Sequence, residues 1–260
     1  MQTRQLEKAE TFRALHEGEP FLIPNPWDAG SARVMEALGF RALATTSSGF
    51  AFTLGRLDGG ATLDEVVEHV RLLCAVTSVP VSVDLESGYG TAGEAITRVA
   101  EAGAVGGSIE DWDPDGGIAP LDQAVERVTA AVQAARALEF PFTVTARAEN
   151  HIRGNPDLED TIARLQTYER AGADVLYAPG LRTADEVRAV CDALSRPVNV
   201  LAHPGLSMEA AVGAGAQRVS VGGALTWAAV GAMADVATQL RDAGDFSGLR
   251  TRLPLRDWLN

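Results

Sequence analysis

The chain has 260 residues, 46% of them hydrophobic, which is enough apolar material for one large domain with a full core and too much for a disordered chain. Against 22 basic residues stand 35 acidic ones, a formal net charge of −13, which excludes nucleic acid and anionic membrane as expected partners because both need a basic surface. A small anionic metabolite stays within reach, since a local Arg or a divalent cation can reverse the sign inside a pocket.

The chain starts with the polar run Met1-Gln2-Thr3-Arg4-Gln5-Leu6-Glu7-Lys8, which lacks an apolar signal core, and no apolar run further on is long enough to span a bilayer. A soluble cytoplasmic protein is the expectation. Short β-like runs then alternate with longer amphipathic stretches. The strand patterns fall at 21–24, 41–45, 79–84, 105–110, 142–147, 174–178, 197–201 and 218–221. Helical periodicity between them is clearest at 63–76, 121–138, 158–171 and 183–194.

Alternation of this kind means βαβ units and a parallel sheet, and eight units in one chain of this length predict a closed (β/α)₈ barrel of the TIM type. Gly39, Gly103, Gly172 and Gly215 each stand where a helix should stop before the next strand, as left-handed C-caps do. Cys74 and Cys191 fall in helical patterns, without the spacing of a metal knuckle or redox pair, and read as small core residues of a reduced protein. No linker or low-complexity tract interrupts the chain, so residues 1–260 are expected to form a single barrel domain. The segment 244–260 would be a C-terminal tail that packs on a neighbouring subunit.

The stretch with most chemistry is Pro80-Val81-Ser82-Val83-Asp84-Leu85-Glu86-Ser87-Gly88-Tyr89-Gly90. In a strand, residues two apart share a face, so Asp84 and Glu86 should project together from the end of a buried strand. Unpaired charge there is expensive and calls for a metal, a cation or a substrate. Barrel sites lie at the C-terminal strand ends, and those ends supply Asn25 and Asp28, Thr45 to Ser48, Asp84 and Glu86, Glu110 and Asp111, Arg147 and Glu149, then Asn199 and His203. Several carboxylates at one mouth suit a hard divalent cation, Mg²⁺ first, with Mn²⁺ as a substitute. Arg147 can grip a carboxylate or phosphate bidentately, its bland alternative being a salt bridge to Glu149 or Glu110. Thr46, Ser47 and Ser48 offer hydroxyls and turn N–H groups to a second anionic group. Asp111 reads as a cap or a solvent-facing residue, Trp27 and Tyr89 as packing, and His16, His69 and His151 as surface or helix residues.

These residues carry a family resemblance. Asn25-Pro26-Trp27-Asp28-Ala29-Gly30-Ser31-Ala32, the 46–49 turn, Leu54-Gly55-Arg56-Leu57-Asp58, 83–90, 102–111 and Ala146-Arg147-Ala148-Glu149 follow in an order that resembles the isocitrate lyase/phosphoenolpyruvate mutase superfamily along nearly the whole chain. The resemblance implies Asp84 as direct Mg²⁺ ligand, Glu86 and Glu110 as holders of metal-bound waters, and Asp58 near the reacting centre. It places Thr46, Ser47 and Ser48 on the substrate carboxylate and Arg147 on its other anionic end. It also implies a homodimer or homotetramer in which the last helix exchanges between subunits.

The departures from the family pattern narrow the chemistry. The isocitrate and methylisocitrate lyases of this superfamily carry a Lys-Lys/Arg-Cys-Gly-His motif in the loop after the Glu110 strand; here the loop reads Asp111-Trp112-Asp113-Pro114-Asp115-Gly116-Gly117-Ile118-Ala119-Pro120, with no Cys, Lys or His. The Lys-x-Asn-Ser element of the phosphonate-handling relatives is absent too. The oxaloacetate decarboxylase branch resembles this chain in lacking the loop thiol. The expected function is a Mg²⁺-dependent carbon–carbon lyase or decarboxylase on a small 2-oxo or 2-hydroxy dicarboxylate, acting through a metal-stabilised enolate. Asp58 or His203 would manage protons. The alternatives are a phosphoenolpyruvate mutase or phosphonopyruvate hydrolase acting on a P–C bond, and a non-catalytic protein that binds a 2-oxo acid such as 2-oxoglutarate.

Overall fold

A computed structural model describes residues 2–249 and 252–259. Eight parallel strands follow one another around a nearly closed barrel: β1 (Phe21–Ile23), β2 (Leu43–Ala44), β3 (Val81–Asp84), β4 (Gly106–Glu110), β7 (Thr143–Arg147), β8 (Val175–Tyr177), β9 (Val198–Leu201) and β10 (Arg218–Ser220). β5 (Trp112–Asp113) and β6 (Gly117–Ile118) form a separate antiparallel hairpin in the loop after β4. All eight expected strands are present, each at or inside its predicted limits, and the expected (β/α)₈ architecture is the one observed.

Helices alternate with the strands because each apolar strand needs a cover on its outer face. They are α2 (Ala29–Ala37), α3 (Ser47–Thr53), α4 (Leu63–Val76), α5 (Ala92–Glu101), α6 (Leu121–Arg136), α7 (Leu158–Arg170), α8 (Ala184–Asp192), α9 (Met208–Gly213) and α10 (Ala224–Ala243). Several begin on a side-chain cap: Thr62 and Thr183 each accept the N–H three residues on, while Glu65 and Glu186 reach back to the caps' own N–H groups. Val66, Val67, Val70, Ile96, Val99, Val128, Leu165 and Val187 pack from these helices onto Val83, Ile109, Val144, Leu176 and Val200 of the strands. No helix among the described residues is long and apolar enough to cross a membrane.

The barrel bottom is closed by α1 (Gln2–Glu17), whose Ala9, Phe12 and Leu15 pack with Phe21, Ile23, Ala42 and Val105. Gly106 allows this approach, since a Cβ there would stand 2.8 Å from the Phe12 ring. The seam between β1 and β2 is bridged by the Ala44 N–H, which donates to Pro24 O at 3.1 Å. Asn25 fastens the same corner: its Nδ2 donates to Thr45 O at 3.0 Å, and its Oδ1 accepts the Val221 and Gly222 N–H groups at 3.0 and 2.9 Å.

Three sequence expectations need correction. The 46–49 run is the start of α3 rather than a turn, because Thr46 caps it and accepts the Gly49 N–H at 3.3 Å. Asp111 is 2% exposed, with Arg164 and Tyr168 of α7 and the Glu149 N–H on its carboxylate, so it neither caps a helix nor faces solvent. His16 and His69 lie on helices as expected, both buried, but His151 is buried in a turn and so is neither a surface nor a helix residue. His69 lies on α4 and stacks on Phe50 with ring centroids 4.1 Å apart.

Candidate active site

The C-terminal strand ends surround a cavity of about 210 Å³ that reaches from the mouth into the barrel interior. Thr46, Ser47, Ser48, Asp58, Asp84 and Arg147 all line it. Alternation on the strands explains why: Ser82 and Asp84 of β3, and Thr145 and Arg147 of β7, stand two residues apart and share the inward face. Register then sets neighbours, with Asp84 opposite Ser108, Glu110 opposite Arg147, and Arg147 opposite Tyr177.

Arg147 is the hub. Its Nη1 donates to Asp84 Oδ1 at 2.9 Å, its Nη2 lies 2.9 Å from Glu110 Oε2 and 2.8 Å from Glu149 Oε1, and its Nε donates to Glu149 Oε1 at 2.9 Å. Tyr177 adds a ring face 5.2 Å from the guanidinium carbon. Burial acts to lower the Arg147 pKa, but the charges of Glu149, Glu110 and Asp84 outweigh it and hold the group well above its ordinary range. The salt bridge foreseen as the bland alternative is therefore present, and it is threefold.

The carboxylates outnumber the cations here. Arg153 assists from 3.3 Å off Glu149 and 3.7 Å off Glu110, yet Glu110 is raised well above the usual carboxylate range, by burial first. Arg147 and Arg153 pull it down, while Glu149 and Asp84 push it further up. Glu86 is raised to about 7, again by burial, with Asp84 and Asp58 adding to the rise. Its carboxylate accepts the Tyr89 hydroxyl at 2.7 Å. Glu149 Oε2 is buried, with Arg153 Nε 3.3 Å away but no hydrogen bond to it. Surplus negative charge fits a hard cation.

The fit is to a hydrated ion rather than a caged one. Among the described residues no three His, Cys, Asp or Glu side chains converge closely enough to hold a metal directly. Mg²⁺ tolerates this, because it sheds water reluctantly and often takes only one or two carboxylates. Asp84, at the cavity wall, would be the direct ligand, and Glu149 beside it could accept from bound waters; Glu86, past the end of β3 at φ 48° instead of sharing its face with Asp84, and Glu110 do not line the cavity and could act only through further waters.

The turn after β3 is built for this position. Four of its residues have left-handed backbone: Glu86 (φ 48°), Gly88 (93°), Tyr89 (52°) and Gly90 (91°). Such values are uncommon outside Gly and collect at functional sites. At Gly88 a Cβ would also lie 2.7 Å from Ala92 Cα, so no other residue fits. On the far side of the mouth, the Ser47 N–H donates to Asp84 Oδ2 at 3.3 Å, and Thr46 and Ser48 share a hydroxyl contact at 3.2 Å.

The loop after β4 is a tied hairpin. Trp112 pairs with Ile118 and Asp113 with Gly117, and the Ala119 N–H donates to Asp111 O at 2.7 Å. Arg127 donates to Asp113 at 2.7 Å and to Glu110 O at 2.9 Å, while Arg153 lies 3.5 Å over the Trp112 ring. His203 does not line the cavity: its Nδ1 accepts the Gly205 N–H at 3.1 Å, and its Nε2 is buried without a partner. Residues the sequence reading passed over also belong here, namely Arg153, Tyr177 and Arg218. A charge at an inward strand position, as in Arg218-Val219-Ser220, was the signal available for the last of them.

Comparison with known proteins shows the family. The family model for phosphoenolpyruvate phosphomutase matches residues 12–241. A crystal structure from Burkholderia cenocepacia J2315, described in the general terms lyase/mutase, is 51% identical with a TM-score of 0.94, covering 98% of this chain and 95% of that one. The 2-methylisocitrate lyase of Halalkalibacterium halodurans is 30% identical over 203 residues, 75% of this chain and 67% of the relative. The oxaloacetate decarboxylase of Paraburkholderia xenovorans is 34% identical over 191 residues, 68% of this chain and 62% of the relative. With a match over most of its length, this chain belongs to the phosphoenolpyruvate phosphomutase family, within the isocitrate lyase/phosphoenolpyruvate mutase superfamily.

Proposed function

We propose that this protein is a Mg²⁺-dependent carbon–carbon lyase or decarboxylase acting on a small 2-oxo or 2-hydroxy dicarboxylate. One observation carries the reading: Arg147 and two of its three carboxylate partners, Asp84 and Glu149, line a small cavity, and the loop after β4 offers no thiol, amine or imidazole. A Mg²⁺ ion held by Asp84 would supply Lewis-acid polarisation of the substrate's 2-oxygen. Thr46, Ser47 and Ser48 would take the adjoining carboxylate through hydroxyl and backbone donors. Arg147, fixed by its three carboxylates, would present its charge without reorganising.

The rigid hairpin of β5 and β6 would keep water from the mouth. Loss of neutral CO₂ needs no acid at the bond-breaking step, which suits a loop without one. Asp58, exposed at the cavity rim, is the side chain placed to move a proton afterwards; His203, outside the lining, is the weaker candidate. The relatives named as 2-methylisocitrate lyase and oxaloacetate decarboxylase support this range of substrates.

A proton NMR time course with oxaloacetate, 2-methylisocitrate, alkylmalates and 2-oxoglutarate, with and without EDTA, tests the proposal. Metal-dependent consumption of one acid above the solution background is the expected result. No turnover, with selective broadening of one acid's signals, would replace the lyase with a binding protein. The family model's own name keeps P–C chemistry as a second reading, and an unchanged phosphorus NMR spectrum of phosphonopyruvate would remove it.

We also infer a homo-oligomer. In α10 only Thr226 is buried, while Trp227 and Met233 are 46% and 61% exposed. The eighth helix thus leaves apolar side chains uncovered, and those of a second copy would cover them. Sedimentation equilibrium showing only monomer at micromolar concentration would refute this.

A further inference from the structure

Arg218 is a buried positive charge with no carboxylate counter-ion among the described residues. It is 5% exposed and opens β10 at an inward position. Its Nε donates to Asn199 Oδ1 at 2.8 Å, and its Nη2 donates to Thr145 Oγ1 at 3.1 Å. Its Nη1 lies 3.1 Å from His16 Nε2. His16 Nδ1 is 2.8 Å from Phe12 O, an atom that only accepts, so Nδ1 carries the ring hydrogen and Nε2 meets Arg218 with a lone pair.

All three partners are therefore neutral, and His16 stays so, since burial and Arg218 itself push its pKa down to about 3. A guanidinium has five N–H donors, and these contacts use three. Among the described residues no carboxylate lies within salt-bridge distance of it. A buried charge left in that condition is costly unless a ligand completes it.

The ligand has a route. Arg218, Asn199 and Ser220 line the same 210 Å³ cavity as Asp84, Arg147 and Ser47. Arg218's partner Thr145 precedes Arg147 by two residues on β7, which is about 6.6 Å along a strand. The cavity thus has two electrical ends. At the mouth the Arg147 cation is already shared by three carboxylates; at the floor the Arg218 cation is shared by none. A volume of about 210 Å³ leaves room for a small acid.

We propose that Arg218 forms the floor of a second anion subsite, which takes the distal carboxylate of a small dicarboxylate inserted end-on along the barrel axis. Asn199, Thr145 and His16 hold the guanidinium in place, and the subsite selects diacids over monoacids of equal length. The proposal rests on the function proposed above only for its ligand class, and its test needs no turnover.

Succinate and butyrate differ by one carboxylate. Calorimetric titration of the full-length protein with each, in Mg²⁺ buffer, should show succinate binding at least about tenfold more tightly, as one charge-assisted contact implies. Arg218→Gln should erase that preference while leaving butyrate within about twofold, and Arg218→Lys should keep part of it. A wild-type protein that does not distinguish the two acids overturns the subsite, whether or not it cleaves anything. So does a folded Arg218→Gln protein that keeps the preference, even where diacid turnover upholds the lyase reading.

Should Arg218→Gln fail to fold, the wild-type crystal structure with succinate decides. A carboxylate within ~3.2 Å of the guanidinium supports the subsite. Succinate bound only at the mouth overturns it.

Discussion

Replacing Asp111 tests how the active-site mouth is fastened to the helices behind it. Its Oδ1 accepts the Glu149 N–H at 2.8 Å, and its Oδ2 accepts the Tyr168 hydroxyl at 2.6 Å and Arg164 Nη1 at 3.1 Å. In Asp111→Asn one oxygen remains, and the amide that replaces the other turns N–H groups toward Arg164 and Tyr168. Arg164 keeps Asp160 at 2.9 Å and Ala119 O at 3.1 Å, so it is not stranded. The loss is then one charge-assisted bond plus a mismatch, about 2–3 kcal/mol. Asp111→Ala leaves a hydroxyl, a backbone N–H and part of a guanidinium unmet in a buried place, about 3–5 kcal/mol.

For a chain of this size 1 kcal/mol moves Tm by about 2–4 °C, so the Asn variant should melt about 5–10 °C lower and the Ala variant lower still. Thermal unfolding followed by circular dichroism measures both. In a double-mutant cycle Tyr168→Phe should couple to Asp111→Asn by at least about 1 kcal/mol, because the two share a bond. If both Asp111 variants melt within about 1 °C of wild type, the buried anchor described above is not what holds β4 to α7.

Further expectations are as direct. His69 is pushed down to about 4 by burial, so it is neutral in the fold and takes up a proton only on unfolding below pH 6.5; its share of stability is full above that pH and fades as pH falls toward 4. His69→Phe should therefore narrow the loss of unfolding free energy between pH 7 and pH 5 by about 2 kcal/mol, and an unchanged difference would show the ring is solvated. Millimolar Mg²⁺ should raise Tm of the wild-type protein, by about 5–10 °C at a hundredfold excess over Kd, and should do nothing for Asp84→Ala; equal shifts in both would move the ion elsewhere. Gly88→Ala forces a left-handed alanine with its Cβ 2.7 Å from Ala92 Cα, so it should cost more than about 2 kcal/mol and weaken Mg²⁺ binding with it.

What was legible in the sequence was whatever is written locally. β-branched runs ending in charge marked the strands, and Gly39, Gly103, Gly172 and Gly215, all at positive φ, marked the turns before them. The same alternation brought Asp84 and Arg147 to one face, which the fold then places 2.9 Å apart. Interactions set by tertiary distance were not legible. Asp111 meets Arg164 and Tyr168 across 53 and 57 residues, and Arg218 meets His16 across 202. The α3 helix was missed because Thr46-Ser47-Ser48-Gly49 has poor helix propensity and is held by its cap. The left-handed turn at Glu86 and Tyr89 was hidden because neither residue type announces a positive φ.

Metal-dependent cleavage is best measured as the rate of diacid turnover by wild-type protein and Asp84→Ala, each titrated with Mg²⁺ from an EDTA-treated start. Turnover should rise from background with the metal in the wild type and stay at least about a thousandfold lower in the folded Asp84→Ala variant at every concentration. Cleavage that persists in EDTA, or that survives the loss of Asp84, would contradict a Mg²⁺-dependent reaction at Asp84.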